Sequence, residues 1–181
     1  MRPISSCPIQ AFFASFILLV VNIGGCPPPL SPAGDQRSGS PIPAGVYSGE
    51  ASHYQDVYSD SALVSQYSST VPVTFVFNEA GQVVGRDGNP VVSGTTSVGE
   101  VGALTATKSV ESVIAMTDSI IVRGTSRWEH AEIPGDPLIG PFTITLKFLP
   151  PNQVEYEEST AVVATSGTVA WEMTWSGILT K

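Results

Sequence analysis

The chain has 181 residues, a formal charge of −8 and only eight Lys and Arg. Recognition of nucleic acid needs a basic face, so no nucleic-acid partner is expected. Apolar residues make up 42% of the chain, enough for a core, while 17 Gly and 15 Pro favour turns over long helices.

The first element in chain order is a leader. "MRPISSCPIQ" carries Arg2 and no acid, and Ala11 to Val21, "AFFASFILLVV", is an uncharged apolar run. A spanning helix needs about 20 apolar residues, so this run fits the centre of a secretory signal better. Ile23-Gly24-Gly25-Cys26 follows. This string resembles the lipobox of bacterial lipoproteins, a branched aliphatic residue and two small residues before a cysteine. The family more often has Leu where Ile23 stands, and Ala or Ser where Gly24 stands. The resemblance implies a diacylglycerol thioether on Cys26, removal of residues 1–25, and acylation of the new amine in Gram-negative bacteria. Two or three acyl chains anchor stably, where one is marginal. Cys7 falls in the removed segment, so the mature chain would have no disulfide and would depend on its core.

Residues 26–43 come next. "PPPLSPAGDQRSGSPIP" places six prolines between Pro27 and Pro43. Proline fixes φ and removes a donor, so neither helix nor sheet propagates. At about 3.1 Å per residue, such a tether reaches roughly 50 Å. Pro27 stands where the lipoprotein sorting rule places Asp for inner-membrane retention. The outer membrane is therefore favoured if the source is Gram-negative.

From Ala44 to Lys181 the pattern changes to period two. Val73, Phe75 and Phe77 share a face, as do Ile120, Val122 and Trp128. Phe142, Ile144, Leu146 and Phe148 alternate with Thr143, Thr145 and Lys147, and Val169, Trp171, Met173 and Trp175 alternate with Ala170, Glu172 and Thr174. Alternation sends one set to a core and the other to water. Turn signals at 78–82, 86–90, 116–119, 133–137 and 150–153 divide the region. Strands are expected near 45–53, 71–78, 82–85, 91–98, 103–116, 119–129, 141–149, 153–164 and 167–180. "SDSALVSQYSS" reads as a short helix or a loop. The expected fold is all-β, an antiparallel up-and-down β-barrel of about eight strands, with a β-sandwich as the alternative. In a barrel the last strand pairs with the first, near Tyr47. Gly45-Val46-Tyr47 in "AGVYSGE" resembles the Gly-x-Trp that opens lipocalin-like barrels, with Tyr in place of Trp. Those barrels often pack a late basic residue on the aromatic ring, and Lys181 ends this chain.

Residues able to do chemistry are few. His130 with Glu129, Glu132 and Asp136 could hold a divalent metal, but neighbours on a strand face opposite ways, so a solvated strand end is the expected reading. His53 with Asp56 could form an acid–base pair, against a polar loop. Glu155 and Glu157 share a strand face, as paired glycosidase carboxylates can, or as an exposed strand requires. No catalytic, cofactor or metal residue is assigned, and the chain is expected not to be an enzyme. Trp128, Trp171, Met173 and Trp175 face inward, as a core or as the wall of an apolar pocket. The sequence thus describes an exported, lipid-anchored envelope protein attached through Cys26, with a β-domain acting as an interaction or structural module. The alternative is a carrier of a small apolar ligand inside a lipocalin-like barrel; an enzyme is the third reading.

Overall fold

In the computed structural model, residues 42–101, 104–130 and 133–181 are described. The leader, Cys26 and most of the proline tether lie outside these residues. The described part is all-β. Its strands are β1 (Gly45–Ser59), β2 (Ala62–Phe77), β3 (Val83–Arg86), β4 (Asn89–Pro90), β5 (Thr96–Val101), β6 (Leu104–Ala115), β7 (Ser119–His130), β8 (Ile133–Leu149), β9 (Gln153–Ala164) and β10 (Val169–Thr180). They form one antiparallel sheet in the order β4-β3-β2-β1-β10-β9-β8-β7-β6-β5. The first long strand pairs with the last, from Ser48 opposite Thr180 to Ser59 opposite Val169. The sheet is a nearly closed up-and-down barrel rather than a sandwich, with the alternation of its long strands dividing an inner from an outer face.

The seam lies between β4 and β5, not between the chain ends. Val91 N–H donates to the Val84 carbonyl at 3.1 Å, Gly94 N–H donates to Val110 O at 2.8 Å, and Val110 N–H donates to Thr95 O at 2.9 Å. The connecting segment therefore ties β3 to β6 across the gap. This corrects the single strand expected over 91–98: a crossing segment comes first, and β5 starts at Thr96.

Two other expectations change. "SDSALVSQYSS" is neither helix nor loop, but the end of β1 and the first half of β2. Asp60 and Ser61 have φ of 48° and 66°, the two left-handed residues of a tight hairpin turn. That turn carries the ladder on from Ser59 opposite Ala62, through a bulge near Val57, to Ser52 opposite Thr70. The second change is at "IPGDP", which lies inside β8. The facing ladder shifts register between Trp128 and His130, and such an irregularity admits prolines that lack a ladder donor.

Inward positions follow the expected faces. Val73, Phe75, Phe77, Ile120, Val122, Trp128, Phe142, Ile144, Leu146, Met173 and Trp175 are all buried, and Phe148, Val169 and Trp171 pack partly buried against them. Tyr47 is fully buried, its ring edge-on to Phe77 at 5.3 Å, and its hydroxyl donates to Pro43 O at 3.1 Å. Ile42 is also in the core, 1% exposed. The barrel thus begins at least two residues before the boundary expected at Ala44. Lys181 lies with its aliphatic stem over Gly45, where an added Cβ would come within 2.5 Å of Cε.

Candidate functional site: a charged cluster and cavity inside the barrel

On β9, Val154, Tyr156, Glu158, Thr160, Val162 and Ala164 face inward without a break in period. This alternation drives a carboxylate into the core. Glu158 is 2% exposed, opposite Trp175 on β10 and Ile144 on β8. A lone buried carboxylate is strongly unfavourable unless it is paired and hydrogen-bonded. Three partners meet it. Arg86 Nη1 donates to one oxygen and Lys108 Nζ to the other. Tyr156 Oη donates at 2.6 Å, and itself accepts from Arg86 Nη2 at 3.0 Å. Burial alone would raise the Glu158 pKa. Arg86 and Lys108 together outweigh it and hold the carboxyl down at about 2.

The two cations reach the interior by different routes. Lys108 is on β6, at the inward register position opposite Ser126. Arg86 pairs with Phe75 across the β2–β3 ladder, where a register shift lies between Val76 and Phe77. That shift brings both Val83 and Arg86 inward, although they are three residues apart. The Arg86 guanidinium lies over the Phe75 and Tyr156 rings at 5.6 and 5.5 Å, and Nε reaches Asp87 at 3.3 Å. Lys108 Nζ lies 5.2 Å from the Trp175 ring centre and 5.5 Å from that of Phe142. Burial lowers the Lys108 pKa, the Glu158 charge offsetting it only in part.

Beside this cluster is a cavity of about 280 Å³. Its walls include Trp128, Phe142, Ile144 and Trp175, with Arg86, Lys108 and Asp87 contributing charge. Asn89 and Pro90 of β4 and Ser97 and Gly99 of β5 also line it, so the cavity lies at the seam. Trp128 is 8% exposed, and its Nε1–H finds no acceptor among the described residues. Ser126 Oγ and Thr160 Oγ1, at other inward positions, are equally without partners there. Such a combination of apolar wall and a few convergent polar groups is the usual composition of a small-molecule site.

The residues considered from sequence are dispersed. His53 is within β1 rather than in a polar loop. It stacks on Trp175 at 4.6 Å with an interplanar angle of 11°, and its Nδ1 is 3.2 Å from Ser69 Oγ. Asp56 instead accepts from Gln66 Nε2 at 2.9 Å. Glu129 pairs with Arg127. The Asp136 carboxylate accepts from the Thr165 hydroxyl and from Ser166 N–H and Oγ at 2.6–2.8 Å, which holds its pKa below the usual range. Glu132 lies outside the described residues. Glu157 faces out and Glu155 is half-buried on the same face; it is Glu158, in the opposite phase, that faces in. The signal for Glu158, and for Lys108 in Leu104, Ala106, Lys108, Val110, is the alternation itself, carried through a charged residue. Trp128 and Trp175, expected to be inward, do reach the cavity wall.

No family model, curated protein or solved structure matches the chain.

Proposed function

We propose that this chain is a non-catalytic, lipid-anchored envelope protein whose barrel carries a small, mainly apolar ligand. The observation that supports carriage is the 280 Å³ cavity with Trp128, Phe142 and Trp175 in its wall and an unpartnered indole N–H. The anchoring half of the proposal comes from Cys26 and the segments on either side of it. The outer membrane is the favoured destination if the source is Gram-negative. Metabolic labelling with palmitate should mark the chain, and Cys26→Ser should abolish the label; a label retained by Cys26→Ser removes the anchor from the reading.

Carriage is tested on the full-length protein with an apolar fluorophore. The dye should enter the wild type and be displaced by an organic extract of the envelope. Ala106 lines the cavity, so Ala106→Trp, shown to be folded by circular dichroism, should lose most of the uptake. Undiminished uptake in that variant places the dye elsewhere and overturns the carrier reading.

A second reading, an interaction module, is favoured by β2. Its pairing with β3 is confined to Phe75–Phe77, so residues 62–73 present an open ladder edge among the described strands. Leu63, Val64 and Tyr67 are exposed along it, and such an edge can accept a strand from another chain.

A further inference from the structure

If the barrel is a carrier, the premise on which this assignment rests, the polar groups around its cavity specify more than an apolar guest. Glu158 accepts three bonds, from Arg86, Lys108 and Tyr156, of the about four a carboxylate can take. Its partners Arg86 and Lys108 keep more donors open. Among the described residues, one of the three N–H bonds of Lys108 is used, on Glu158, and three of the five of Arg86, on Glu158, Tyr156 and Asp87. Trp128 adds an indole N–H with no acceptor among the described residues. Lys108 and Trp128 thus bring open donors to a cavity whose acceptors, Asp87, Asn89 and Ser97, come from the strands at the seam and the turn beside them, while the walls between are rings and aliphatic groups.

Two cations meet one fully buried carboxylate, Glu158. The further acid, Asp87, also lines the cavity and pairs with Arg86 Nε, but its side chain is 44% exposed and is screened by water and salt. Lys108, paired among the described residues with Glu158 alone, is the cation placed to meet an acidic group of the guest. A cationic guest is disfavoured on geometry as well. The Lys108 ammonium lies 5.2 and 5.5 Å from the Trp175 and Phe142 ring centres, so a ligand cation drawn to those rings would meet a like charge.

Lys108 and Trp128 are diagonal neighbours on adjacent strands, since Lys108 pairs with Ser126 and Ala106 with Trp128. Inward positions so related stand roughly 7–8 Å apart, within reach of long side chains directed at one group. We infer that the ligand bears an anionic acceptor, a carboxylate or its chemical equivalent, received by Lys108 and Trp128, with an apolar body against Phe142, Ile144 and Trp175.

The test uses full-length protein in lipid nanodiscs, with empty nanodiscs as the blank, and three probes of one shape. Phenylacetate, phenylacetamide and phenethylammonium are titrated by calorimetry. Phenylacetate should bind at least about tenfold tighter than the amide, as charge-assisted hydrogen bonds exceed neutral ones, and phenethylammonium should not bind. Lys108→Met should reduce phenylacetate to the affinity of the amide while leaving the amide unchanged. Trp128→Phe keeps an aromatic wall but removes the N–H, and should weaken phenylacetate more than the amide even if Lys108→Met fails to fold. An amide or ammonium that binds as well as phenylacetate overturns the anionic assignment and leaves the carrier reading standing. Binding of none of the three overturns the anionic assignment, and uptake of the apolar dye then decides separately whether the carrier reading stands.

Discussion

Glu158 sits between Tyr156 and Thr160 on the inward face of β9, with Arg86 and Lys108 reaching it from two other strands. Its carboxyl pKa is about 2, against 4.5 for an unperturbed glutamate. A depressed folded-state pKa stabilises the fold above the unfolded value, and that contribution is lost as pH falls through the folded one. The window for this barrel is therefore from about 4.5 down to about 2. The difference between those values corresponds to about 3 kcal/mol. Glu158→Gln should cost about that much at pH 7, because it leaves two buried cations without their anion. Near pH 2 the parent carboxyl is itself protonated, and the two proteins should converge. Urea midpoints at both pH values check this. A gap that stays constant across the window would mean that Glu158 contributes through packing, not charge. A sequence reading passes over this residue because charged side chains are normally placed in water. Its partner Arg86 is harder still to see, since only the register shift in the β2–β3 ladder turns it inward.

Among the elements, β10 shows most clearly how pattern becomes structure. Trp171, Met173 and Trp175 are written in period two with Glu172 and Thr174, and the strand obeys that phase, with Met173 and Trp175 buried and Glu172 exposed. It pairs with both β1 and β9, so a chain ending at Thr168 should lose cooperative unfolding altogether. Trp175 is stacked on His53 and lies against Lys108. Trp175→Ala should cost roughly 3–5 kcal/mol, and Glu172→Ala, outside the barrel, should stay within about 0.5 kcal/mol. Equal urea midpoints for the two variants would contradict the inward assignment. Strands β7, β9 and β10 are legible in the sequence for this reason: long runs, strict alternation and short turns. The outer half of β2 is not, because "SDSALVSQYSS" has no apolar face to bury; all its residues from Ala62 to Ser68 are exposed. Its conformation is imposed by the hairpin turn and by the ladder to β1. The start of β8 misleads for the opposite cause, since Pro and Gly there suggest a turn that an irregular ladder makes unnecessary.

At the scale of the whole molecule, the order of strands in the barrel is a rotation of their order in the chain. The ends of the described domain meet in the sheet, at β1 and β10, while the seam falls mid-chain between β4 and β5. Alternation can announce a barrel, but it carries no information about where the ladder is weakest. That depends on the short β3 and β4 and on the segment that spans the gap. Two circular permutants separate these features. Both join Lys181 to Ile42 through a short Gly-Ser linker, which the adjacency of Lys181 and Gly45 allows. One opens the chain between Thr117 and Asp118, at an exposed turn between β6 and β7. It keeps every strand beside its neighbours, and loop-closure terms change only slowly with length, so its stability should stay within about 1 kcal/mol of the parent. The other opens between Ser93 and Gly94, inside the segment that bonds to Val84 on one side and Val110 on the other. It also retains all ten strands, but β3 and β6 are no longer linked through one continuous chain. If the segment closes the barrel, the second permutant should be clearly less stable than the first in urea. Its amides at Val91 and Val110 should also exchange with solvent faster, while those of β1 and β10 remain protected. Equal stability and equal protection would show that the barrel holds its shape without the bridge.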